Sequence, residues 1–140
     1  MIMKEDFVSY DIAVKLKEKG FKEKCYAYYF PKGSELIFNH NPFRGGIIED
    51  CLYSNNSLPN ECMASDFIDA PTISQVLKWL RKEKKIYCLP YFEQGVDMWL
   101  YAICRPLCGC EYPKVISQSI YDTYEQAAIA GVNYCLENLI

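Results

Sequence analysis

Three stretches of helical period divide this chain, and the sequence between them is aromatic, β-rich and joined by tight turns. The first stretch is capped by Ser9 and runs to about Lys19, with Asp11 in its first turn and Val8, Ile12, Ala13 and Leu16 as one apolar stripe. Lys15, Lys17, Glu18 and Lys19 take the wet side, and Gly20 stops the helix. The second opens at Pro71-Thr72, where Thr72 and Gln75 have the capping-box spacing and Ile73, Val76, Leu77 and Leu80 recur on one face. The third starts at Thr123, again with a glutamine (Gln126) at the capping-box position, and ends near Asn138. Its expected buried side is Tyr124, Ala127, Ala128, Gly131 and Cys135, whose small residues let a helix lie close on a sheet.

Residues 24–30 and 35–39 read as strands linked by Pro31-Lys32-Gly33-Ser34, and 86–92 and 98–104 as strands flanking Glu93-Gln94-Gly95. Residues 114–120 read as a further strand. The order is α-β-β-α-β-β-β-α, and consecutive strands joined by tight turns pair antiparallel. The expectation is an α+β fold: about five mostly antiparallel strands with three helices packed on the sheet, in a single domain over residues 1–140. Residues 40–70 are the least regular region, with Glu49, Asp50, Glu61, Asp66 and Asp69 set against Arg44 alone. A loop of that length is usually functional or partly mobile.

Composition excludes several classes. With 51% hydrophobic and 24% charged residues the chain is globular rather than disordered. A net charge of −3 argues against a bulk electrostatic grip on nucleic acid or anionic lipid. The longest apolar run, 98–104, falls far short of the ~18 residues a membrane helix needs. The N-terminus lacks a signal-peptide apolar region, so the expected location is the cytoplasm, without membrane attachment.

Eight cysteines are many for this length, and in a reducing compartment they read as thiols. Cys25, Cys88 and Cys135 lie in apolar stretches, where a thiol behaves as a small hydrophobe. Only Cys104, Cys108 and Cys110 have any ligand character. Zinc wants four ligands, and no second half-site accompanies them, only Cys51, Cys62 and the single histidine, His40. Neither a metal nor another cofactor is therefore expected. The sequence also contains no GxxxxGK[ST], GxGxxG, GxSxG, HExxH or EF-hand pattern, so no catalytic residue is assigned and the chain does not read as an enzyme.

Two binding surfaces stand out. Lys78, Arg81, Lys82, Lys84 and Lys85 are five of the fifteen basic residues, and aromatic side chains of the following strands are of the kind that stacks on unpaired bases. The second surface rests on aromatic content: twelve tyrosines exceed what one small sheet must hide, and Tyr and Trp are favoured at interfaces. Trp79, Trp99 and Tyr101 are its expected anchors. The more economical reading is a protein-interaction module, whose partner is another protein or a second copy; nucleic-acid association through residues 78–85 is the alternative, and a metal protein or small enzyme the third reading.

The segments Met3-Lys4-Glu5-Asp6-Phe7-Val8-Ser9-Tyr10 and Leu16-Lys17-Glu18-Lys19-Gly20-Phe21 stand out together with two further blocks. These are Ala70-Pro71-Thr72 with Gln75-Val76-Leu77-Lys78-Trp79-Leu80-Arg81, and Tyr124-Glu125-Gln126-Ala127 leading to Tyr134-Cys135-Leu136-Glu137-Asn138-Leu139-Ile140. As an ensemble they resemble a family of small proteins of unassigned activity carried by phages, prophages and mobile elements of gut anaerobes. The resemblance implies a bacterial cytosol, a mobile-element setting and Met3 as the usual first residue. It supplies no cofactor or catalytic residue. The cysteine cluster and the 40–70 region lie outside the matching blocks.

Overall fold

The computed structural model describes residues 4–29, 36–38, 68–105 and 114–140, with the side chains of Lys4, Phe38 and Lys114 excepted. The Pro31–Ser34 link, His40, nearly all of the 40–70 region, Cys108 and Cys110 lie outside the described residues. The chain divides into two compact units, Met1–Thr72 and Ile73–Ile140.

In the first unit, helix α1 spans Tyr10–Glu18 as its pattern predicts, and the Ser9 hydroxyl accepts from the Ile12 amide at 3.4 Å. Gly20, at φ +91°, closes it: its own N–H donates to Lys17 and that of Phe21 to Leu16, satisfying carbonyls that the helix end leaves open. Strand β1 (Ala27–Tyr29) is the centre of a three-stranded antiparallel sheet, flanked by β2 (Leu36–Phe38) and β3 (Ile68–Ala70). The third strand was hidden at the end of a segment that reads as loop, because Ile-Asp-Ala is too short to show a period. Val8, Ile12, Ala13, Leu16, Phe21, Cys25, Ala27 and Ala70 are buried. Tyr29, also buried, donates its hydroxyl to the Val8 carbonyl at 2.7 Å and meets Tyr10 edge-on.

The second unit begins with α2 (Ile73–Trp79), which widens into a π-helical turn over Leu80–Lys84. Lys85 ends that turn in the left-handed conformation at φ 57°, a position that usually falls to glycine. Strands β4 (Tyr87–Glu93) and β5 (Met98–Cys104) form a hairpin, and β6 (Lys114–Ile116) pairs with the other side of β5. Helix α3 (Tyr124–Asn138) packs on β4 and β5. It is capped as expected: the Thr123 hydroxyl accepts from the Gln126 amide, and the Gln126 side chain accepts from Asp122.

The fold is thus α+β, but the described strands form two antiparallel three-stranded sheets rather than one sheet of five. The strand expected over 114–120 stops at Ile116 for an identifiable reason. Ser117 donates its N–H to the Tyr101 carbonyl, while the Tyr101 N–H goes to the Ser117 hydroxyl instead of its carbonyl. This replaces one rung of the ladder, and backbone pairing with β5 resumes between Trp99 and Tyr121.

The α3 face that meets the sheet consists of Ala127, Ala128, Gly131, Val132, Cys135 and Leu136, all buried. Tyr124, expected among them, is instead exposed and lies edge-on to Trp99, with ring centroids 5.5 Å apart. Gly131 sets the distance: a Cβ there would stand 2.5 Å from the Cys88 sulfur and 3.1 Å from the Tyr101 ring. Replacing glycine by alanine inside a helix normally gains about 0.5–1 kcal/mol. Here the steric term wins, because overpacking a filled core costs about 1–3 kcal/mol. Gly131→Ala is therefore expected to lower the unfolding free energy in urea titration, and by less when Cys88→Ala is already present.

Candidate functional site

The two faces of the β4–β5–β6 sheet differ in what covers them. Directly opposed residues share a face, so Cys88, Pro90 and Phe92 lie with Ile103, Tyr101 and Trp99 on the side to which α3 packs. Tyr87, Leu89 and Tyr91 lie with Cys104, Ala102 and Leu100 on the other side, and Ile116 joins them opposite Ala102. On the helix side Cys88, Tyr101 and Ile103 are buried, while Phe92, near the hairpin turn, is 45% exposed. On the other, Leu89 and Ile116 are each 48% exposed, Tyr87 is exposed as well, and Tyr91, Leu100 and Cys104 are only partly covered. Leu89 and Ile116 thus stand exposed on either side of the buried Ala102, with Tyr87 nearby, the kind of surface that marks an interaction site.

The outer edge of β4 is less available. Tyr101 turns both its N–H and its carbonyl toward Ser117, away from β4. Pro90, opposite Tyr101, therefore sits in a non-hydrogen-bonded pair, and its missing N–H falls on the free edge of the sheet. An added strand would find a gap in the donor row there. Among the described residues the open face, rather than the edge, offers Leu89, Ile116 and Tyr87 to a partner, while Phe92, Val96 and Ile120 are exposed elsewhere in the second unit.

Two of the three aromatic anchors read from the sequence are not surface residues. Trp79 is 5% exposed and Tyr101 8%, because each belongs to the apolar side of its element. The Lys84 ammonium covers the Trp79 ring at 5.4 Å from its centroid. Tyr101 lies beside Tyr121 and Tyr134. Trp99 is partly covered, with Phe92 and Tyr124 edge-on to it at 5.5 Å. In the basic segment Lys78, Arg81, Lys82 and Lys85 are exposed and Lys84 is half-buried. The Lys85 ammonium donates back to the Lys82 carbonyl at 3.1 Å, so that lysine also closes the π-helical turn. Residues 73–140 carry seven basic and seven acidic side chains, so the basic stretch belongs to a unit without net charge.

Sequence reasoning missed Leu89 and Ile116. A signal was present: 87–92 is apolar at both odd and even positions, which implies two apolar faces, and only a covered strand can hide both.

Among the described residues no group of three or more His, Cys, Asp or Glu side chains is arranged to hold a metal ion. Cys104 lies partly covered on the open face, and its companions Cys108 and Cys110 fall outside the described residues. Cys25, Cys88 and Cys135 are all buried. Burial first, then the nearby carboxylates of Asp69 and Glu23, push the Cys25 thiol well above its ordinary range, which opposes thiolate chemistry there. No helix among the described residues is long and apolar enough to cross a membrane. No family model matches the chain, and no curated protein or solved structure is significantly similar to it.

Burial raises the phenols of Tyr29 and Tyr101 above their ordinary value of 10.0; for Tyr101 the neighbouring Tyr121 adds to the effect. Above that pH the unfolded chain releases protons that the native chain keeps, so stability is fully present below it and falls as pH rises through it. In an alkaline absorbance titration, Tyr29 and Tyr101 are expected to ionise late. Tyr29→Phe and Tyr101→Phe should each remove one late-ionising group.

Proposed function

We propose that this chain is a non-catalytic accessory or protein-interaction module whose contact surface is the open face of the β4–β5–β6 sheet. The observation that carries the reading is the exposure of Leu89 and Ile116 beside Tyr87 on a sheet against whose other face α3 packs. Leaving apolar area in water forgoes about 25 cal/mol for each Å² that a partner would cover. Aromatic and aliphatic side chains on a flat sheet suit a partner with an apolar face of its own. That partner is another protein of the cell or of a resident mobile element, or a second copy of the chain. The resemblance of the three helical blocks to phage and prophage proteins supports a bacterial cytoplasm as the setting.

Nucleic-acid association through Lys78, Arg81, Lys82, Lys84 and Lys85 is the second reading, supported by the exposure of four of these side chains. Its mark is affinity that falls steeply with salt, since phosphate contacts release counterions.

The test compares the full chain with a Leu89→Lys, Ile116→Lys variant. Both changes lie on exposed side chains, so the far-ultraviolet spectrum and unfolding midpoint are expected to stay nearly unchanged, within about 0.5 kcal/mol. Self-association followed by light scattering, and protein capture from a nuclease-treated bacterial lysate, are expected to be lost in the variant. Retention of both at wild-type levels contradicts the surface assignment. Capture that survives the variant but disappears with nuclease favours the basic segment.

A further inference from the structure

We propose that Cys88 and Cys135 form a dithiol–disulfide couple, an oxidation site that can fasten α3 to β4. The two thiols come from elements far apart in the chain, β4 and α3, that pack on each other, and they lie close enough to interact. Gly131 makes this approach possible. The Cys88 sulfur occupies the space beside the helix where a Cβ at Gly131 would stand 2.5 Å away. Cys135 lies one helical turn beyond Gly131 on the same face, so a sulfur seated at Gly131 falls next to it. Both cysteines are buried, at 3% and 0% exposure. Cys104 cannot compete: it pairs with Tyr87 in the register and lies on the opposite face of the sheet.

The chemistry is thiol–disulfide exchange with a small disulfide such as oxidised glutathione. One thiol, as thiolate, attacks a sulfur of the oxidant and expels the first glutathione thiolate, giving a mixed disulfide. The second cysteine then attacks the protein sulfur of that mixed disulfide and expels the second glutathione. The protein loses two protons and two electrons, and one oxidised glutathione becomes two reduced ones. Within the closed core the hydrogen bond that the Cys88 thiol donates to Cys135, and then burial, hold that thiol protonated. Exchange therefore waits for α3 to lift, and the couple is slow to form. Once formed, the cross-link closes the loop 88–135 across the second unit and restrains its unfolded state.

The experiment equilibrates the full chain over a graded series of reduced-to-oxidised glutathione ratios, blocks remaining thiols under denaturing conditions and maps peptides by mass spectrometry. The expected result is a Cys88–Cys135 cross-linked peptide that appears in the monomer and has lost two hydrogens. Reduction should reverse it, Cys104→Ser should retain it, and Cys88→Ser or Cys135→Ser should abolish it. The oxidised wild-type chain should melt higher by roughly 15–30 °C, as expected for a loop of this size in a small unit. The proposal is overturned if Cys88 and Cys135 both remain blockable while Cys104 is oxidised, or if either pairs with another cysteine. The wild-type map decides the matter even if a serine variant fails to fold.

Discussion

The second unit depends on how closely α3 approaches the β4–β5 hairpin, and that distance is set at Gly131. With no Cβ in the way, the Cys88 sulfur and the Tyr101 ring reach the helix backbone. Ala127, Ala128, Val132, Cys135 and Leu136 then fill the space around them without leaving the surface. The hydrophobic gain is spread over many side chains, but it is available only at this separation. A helix held further out would leave Ile103 and Tyr101 incompletely covered, and a buried tyrosine ring with a gap on one side loses much of its dispersion contact.

Covering one face fixes the chemistry of the other. A strand alternates its side chains, so once Cys88 and Tyr101 point to α3, Leu89 and Ala102 must point away. Apolar residues occupy both parities of β4, and no choice of register would hide all of them under one helix. Among the described residues of the second unit, the open face thus follows from the apolar pattern of β4 and from helix packing on one side of the sheet. Pro90 adds a second consequence by breaking the donor row of the β4 edge, which directs association to the face. The basic π-helical turn is a separate feature, closed locally by Lys85 and shielding Trp79 through Lys84.

Much of this was legible in the residues. The three helices follow from apolar period, and Ser9, Gly20 and Thr123 perform the roles their positions imply. The β4–β5 hairpin was readable from two apolar runs around Glu93-Gln94-Gly95. What could not be read depends on partners distant in sequence. Ile68–Ala70 is a strand only because β1 offers it an edge, and β6 ends early only because the Ser117 hydroxyl intercepts the Tyr101 amide. The surface assignment failed at Trp79 and Tyr101 for a related reason: residue type says that an aromatic is suited to an interface, whereas its face decides whether it reaches one. Leu89 and Ile116 are less suggestive as residues, but they stand on the face that α3 does not cover.

The claim that this sheet has one covered and one open face is tested most directly by carbene footprinting of the full chain at monomeric dilution, read residue by residue. Heavy labelling of Leu89 and Ile116, with Ile103 and Leu136 protected, is the predicted pattern. Leu89 and Ile116 as protected as Ile103 would contradict it, and with it the surface on which the proposed interaction rests.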